Sequence, residues 1–118
     1  MTSWRPLFPI LVLGGVVLAA SVGARAQTPG ASPGEALAFD RAKGNCLACH
    51  TMRGGDVPSN VGPELNDMKA RFPNRADLVT ILTNEEARNP LTVMPPFGRN
   101  QILSADEINQ IVDFLYTL

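Results

Sequence analysis

Both cysteines and the only histidine of this 118-residue chain fall within one pentapeptide, Cys46-Leu47-Ala48-Cys49-His50. No other feature restricts the fold as strongly. A structural zinc site takes four protein ligands, almost always Cys and His. With two cysteines and one histidine, a carboxylate would have to be the fourth. A thioredoxin-like redox pair belongs to a βαβ context, and no segment here alternates as a strand. A disulfide is the plain alternative for two exported cysteines, but one spanning only two residues closes too short a loop to restrain the unfolded chain much.

The C-x-x-C-H spacing is the signature of c-type haem attachment. Two thiols three residues apart can add to the two vinyl groups of one haem. The adjoining histidine then stands beneath the iron as its proximal ligand. The pentapeptide therefore predicts one covalently attached haem c, held by Cys46 and Cys49 and ligated by His50.

The N-terminus has the form of an export signal. Arg5 supplies a positive start, Ile10 to Val22 is uncharged, and Ala24-Arg25-Ala26 fits a small-x-small cleavage site. Cleavage after Ala24 is a variant of the same scheme. The run is shorter than the roughly 20 apolar residues that span a bilayer, so residues 1–26 are expected to be removed, leaving no stable membrane anchor. The mature chain, 27–118, then forms one domain in the periplasm. Losing Arg5 and Arg25 takes the balance from 10 basic against 11 acidic residues to 8 against 11. That is no footprint for nucleic acid, which calls for a basic patch. A domain this small is marginal on its own side chains, and a large apolar cofactor at its centre relieves the shortage.

Ser32-Pro33-Gly34-Glu35 reads as a helix start, with serine as N-cap and proline in the first position. The helix is expected to run to about Lys43 and close at Gly44-Asn45. It would set Ala38 and Ala42 on one face, where a second helix could cross closely. Gly54 to Pro63 is a loop. Arg75 to Thr83 is a helix capped by Asn74, with Leu78, Ile81 and Leu82 as its apolar stripe. Pro90, Pro95 and Pro96 exclude a regular helix over 89–99. Ser104-Ala105-Asp106-Glu107 is a capping box. It opens a helix in which Ile108, Ile111, Val112 and Leu115 recur at helical spacing. The expected class is all-α: three main helices and long ordered loops around the haem.

An electron-transfer haem often takes methionine as its second axial ligand. Met52 is too near His50 to reach the opposite haem face, and Met68, just past the loop on the histidine side, suits a core role. Met94 lies far along the chain in Thr92-Val93-Met94-Pro95-Pro96-Phe97, where prolines lower the unfolded-state entropy. Met94 is the expected sixth ligand, against the plain alternative that it fills the core. With both axial places filled, the iron offers no open site, which points to electron transfer.

The order helix, C-x-x-C-H, glycine-rich loop, middle helix, methionine loop and C-terminal helix resembles class I cytochromes c. Gly62-Pro63-Glu64-Leu65 matches the family's Gly-Pro-x-Leu element. The resemblance implies that the Pro63 carbonyl accepts a hydrogen bond from His50 Nδ1, which orients the ring. It also implies crossed terminal helices, with Ala38 or Ala42 against Phe114 or Leu115. Where the family often has an aromatic residue this chain has Ala42, and Phe39 fills that space from the neighbouring turn. A narrower similarity covers nearly the whole mature chain. Gly44 to His50, Arg71-Phe72-Pro73, Asn89-Pro90, Thr92 to Arg99 and Ile111 to Tyr116 resemble the SoxX subunits of SoxAX sulfur-oxidation cytochromes.

That resemblance implies a heterodimer with a larger SoxA-type haem subunit, which holds the catalytic residues. The pair oxidatively joins thiosulfate to a cysteine of a carrier protein. This chain would then accept electrons and pass them to a downstream cytochrome or oxidase. Two other classes stay open: a free-standing periplasmic carrier, and a small-ligand binder with a labile Met94. A permanent subunit needs an apolar patch near the haem edge. Phe97 and the segment Phe114 to Leu118 are candidates for that patch or, equally, for the core.

Overall fold

The computed structural model describes Met1 and residues 30–118. Apart from Met1, the expected signal segment 1–26 lies outside the described residues. Among those described there are four α-helices: α1 Pro33–Phe39, α2 Met68–Arg71, α3 Arg75–Asn84 and α4 Ala105–Leu115. Short 3-10 turns stand at Cys46–Ala48 and Glu85–Ala87. No β-strand occurs among them; the only bridge is an isolated parallel pairing of Met52 with Leu65. The all-α class holds, with α1, α3 and α4 as the main helices.

α1 starts as its sequence dictates, with Ser32 accepting a hydrogen bond from the Glu35 amide at 3.2 Å and Pro33 opening the first turn. Its end differs from expectation. Asp40 turns extended, and its carboxylate accepts from the Ala42 amide at 2.8 Å. The Gly44 amide donates back to the Leu37 carbonyl at 3.1 Å. Aspartate competes with the helix by bonding local backbone, so α1 stops at Phe39 instead of Lys43. Ala42 consequently lies on an exposed turn and is no part of the crossing.

The crossing of α1 and α4 is made by Ala38, fully buried, and by Gly34. A Cβ at Gly34 would collide with the Gln110 carbonyl oxygen and come within 2.9 Å of Phe114 Cβ. Glycine lets the two backbones touch. Phe39 then packs edge-on against Phe114, with ring centroids 5.9 Å apart and an 89° interplanar angle.

α3 is capped by Asn74, which accepts from the Ala76 amide at 3.2 Å. Arg75 ties α3 to α4, donating to Asp113 Oδ1 at 2.7 Å and to Asn109 Oδ1 at 2.6 Å. α4 opens with a complete capping box between Ser104 and Glu107. Ile108, Ile111, Val112, Phe114 and Leu115 all turn inward. They join Met52, Met68, Leu78, Leu82, Phe97 and Leu103 in one core. Phe97, Phe114 and Leu115 are thus core residues, and of the two roles left open for them the surface patch is ruled out. No helix among the described residues is long and apolar enough to cross a membrane.

Candidate haem site

One cavity of about 770 Å³ opens beside this core, within the roughly 300–1,000 Å³ usual for ligand and cofactor sites. Its walls include Cys46, Cys49, His50, Pro63 and Met94, so the five residues singled out in the sequence meet around one space. Ile81, Leu82, Phe97, Ile111 and Leu115 supply apolar walls from α3, the methionine loop and α4.

The pentapeptide is delivered by backbone geometry. Asn45 adopts the left-handed conformation at φ +46°, which asparagine tolerates better than most residues. The chain then tightens into the 3-10 turn, with the His50 amide donating to the Cys46 carbonyl at 2.8 Å. The two cysteines are not joined to each other in a disulfide. Burial pushes the Cys46 thiol up to about 11, with the nearby Cys49 adding to the shift and a backbone hydrogen bond opposing it.

His50 is held from two sides. Its Nδ1 donates to the Pro63 carbonyl at 2.7 Å, which leaves Nε2 as the uncommitted nitrogen. Gly62 lies against the ring: a Cβ there would sit 2.5 Å from Cε1 and 2.7 Å from Nδ1. The Gly62 amide donates to the Cys49 carbonyl at 2.7 Å, binding the loop to the turn that carries the histidine.

The three methionines near the site separate by geometry. Met52 is buried in the core at 4% exposure and is no part of the cavity wall. Met68 is 2% exposed and touches the cavity, but its sulfur receives Arg71 Nη1 at 3.6 Å. Met94 is half-buried on the wall, its amide turned to Thr92 Oγ1 at 3.1 Å. The segment after it is pinned to α3 by Arg99 N donating to the Thr83 carbonyl at 3.0 Å.

Two features of the site escaped the sequence reading. Val61, Leu91 and Val93 line the cavity yet are 59%, 91% and 77% exposed, forming an apolar rim. Glu85 is the one buried charged residue among those described, and it too lines the cavity. Nothing in the Glu85-Glu86 pair indicates which glutamate turns inward. The isolated valines and leucine likewise carry no pattern that marks them as surface.

Two cysteines outside any disulfide, an imidazole with Nε2 uncommitted, a thioether and apolar walls make a residue set suited to haem. The family model for cytochrome c oxidase, cbb3-type, subunit III, matches residues 31–115. The chain belongs to this family. It is a class I c-type cytochrome that resembles SoxX, an electron-transfer protein whose cofactor is haem c. The cytochrome is also similar to a chain in the crystal structure of SoxXA from P. pantotrophus. The TM-score is 0.64 at 27% identity, over 79% of this cytochrome and 87% of that chain. No curated protein matches it.

Proposed function

We propose that this cytochrome is the electron-transfer subunit of a periplasmic, thiosulfate-oxidising SoxAX-type complex. The observation that carries the proposal is the similarity to the SoxXA structure over most of both chains. The apolar rim of Val61, Leu91 and Val93 at the cavity mouth supports it, since a lasting partner covers such surface.

In this proposal Cys46 and Cys49 would hold a single haem through two thioether bonds, and His50 Nε2 and Met94 Sδ would ligate its iron. The haem, when bound, takes up and releases one electron at its iron. The Pro63 carbonyl holds the His50 ring in the tautomer that presents Nε2. Leu82, Phe97 and Ile111 keep water from the site, which lowers the local dielectric. Residues 1–26 direct export and are removed, leaving 27–118 as the haem domain. The catalytic steps on thiosulfate fall to a larger SoxA-type subunit and a thiol-bearing carrier protein, and electrons leave to a downstream cytochrome or oxidase.

The test is reconstitution. The purified cytochrome alone should exchange electrons with redox mediators and turn over no thiosulfate. Turnover should appear on adding a larger haem-bearing partner and a carrier thiol. Partner binding should slow labelling at Val61 and Leu91 to Val93; Phe97, already in the core, is not a useful reporter. Thiosulfate turnover by this chain alone would make it an enzyme in its own right. Rapid exchange with an oxidase and no tight partner would mark a free-standing carrier.

A further inference from the structure

Glu85 stands where a carboxylate is costly. It follows the last residue of α3, at the negative end of the helix dipole. It is also 6% exposed on the cavity wall, and an ion taken out of water costs several kcal/mol unless it is paired. Arg88 supplies the pairing. Its Nη2 and Nε donate to the two carboxylate oxygens at 2.6 and 3.1 Å, a fork onto both acceptors.

The pair is lopsided. The Glu85 side chain is 7% exposed and that of Arg88 64%. The negative member acts through protein, whereas the positive member is screened by water. The cations that share the wall, Arg41, Lys43 and Arg71, are all more exposed than Glu85. Lys43 is taken up by Glu107 at 2.8 Å, and Arg71 donates to the Glu64 and Asn66 carbonyls at 2.8 and 3.1 Å. Arg88 also lines the cavity, so what this corner presents is a buried carboxylate partly offset by an exposed guanidinium.

We infer that Glu85 sets the reduction potential of this cytochrome: its buried carboxylate favours the ferric haem and holds the potential down, with Arg88 limiting the effect. The inference rests on the proposal that haem fills this cavity. The step it acts on adds one electron from the donor and later passes it to the acceptor, with no bond formed or broken and no proton required. The haem's charge becomes one unit less positive on reduction. A fixed negative charge beside it consequently stabilises the oxidised form, a lever distinct from axial ligation.

Redox titration of the intact holoprotein tests this. Glu85→Gln should raise the midpoint potential, moving the equilibrium toward reduction by about tenfold, which is 59 mV for one electron. Glu85→Asp, which keeps the charge, should stay within about threefold of the parent on the same scale. Glu86→Gln removes a neighbouring carboxylate paired with Arg99 outside the cavity at 2.6 Å, and should leave the potential where it was. Arg88→Gln, in mildly alkaline buffer, unmasks the carboxylate and should lower the potential. That exposed site also provides a reading if Glu85→Gln fails to fold. An unmoved or lowered potential in Glu85→Gln with an unchanged absorption spectrum overturns the role of Glu85 alone, as does a raised potential in Arg88→Gln. Absence of haem from the parent protein overturns the haem proposal itself.

Discussion

Gly62 lies flat against the His50 imidazole, so close that a single added methyl group would have nowhere to go except into the ring. The same loop delivers the Pro63 carbonyl to His50 Nδ1. A close approach of backbone to ring and a hydrogen bond from the next residue together fix where the free nitrogen points. The glycine is required by contact distance; its φ is not in the left-handed region.

Gly62→Ala should therefore push the ring from its seat and lengthen the Pro63 bond. Overpacking of this kind costs about 1–3 kcal/mol. The expected outcome is a lower melting temperature and an altered ferric absorption spectrum. A variant with parental spectrum and stability would show that the loop yields freely.

Gly34→Ala places its methyl group into the α4 backbone at Gln110 instead. Because backbone cannot move aside as a side-chain tip can, the loss should be at the upper end of about 1–3 kcal/mol or beyond. It should appear in thermal unfolding while the midpoint potential stays near the parent value, since Gly34 is no part of the cavity wall.

Met94→Ala should open the sixth coordination position. We expect carbon monoxide binding to the ferrous protein, a lower midpoint potential, and loss of the near-infrared sulfur-to-iron band of the ferric form. Met68→Ala should instead destabilise by about 2–5 kcal/mol, as large-to-small changes in a core do, and leave those spectral features in place. The reverse pattern would transfer the ligand role to Met68.

Glu107 offers a pH test. The Lys43 ammonium holds its carboxyl below the ordinary value of 4.5, chiefly through their hydrogen bond, with the Ser104 amide adding to it. A lowered pKa in the folded state means stability that is complete above the unfolded value and is lost as pH falls through the folded one. Glu107→Gln keeps the capping geometry but removes the charge. It should cost about 0.5 kcal/mol at neutral pH, since the pair is partly exposed. Melting curves of parent and variant should converge in acid, and the gap at neutral pH should shrink in high salt.

Much of this protein is legible along the chain. The C-x-x-C-H pentapeptide, both serine caps, the Asn74 cap and the stripe of α4 are local patterns, and local patterns follow from spacing and from side chains that bond nearby backbone. α1 ends before the Gly44-Asn45 pair that would close it because Asp40, also a local signal, outcompetes the helix. Tertiary structure alone decided the rest. The crossing rests on Gly34, as well as Ala38, because residues about 76 positions apart bring backbone to backbone. Of two adjacent glutamates, Glu85 turns toward the cavity and Glu86 outward to Arg99, and only the packing of the 3-10 turn after α3 distinguishes them. Phe97 is drawn into the core while Leu91 and Val93 stay outside it. Hydrophobicity is the same in kind for all three, but burial depends on what the distant α3 and α4 leave space for, which no short stretch of sequence encodes.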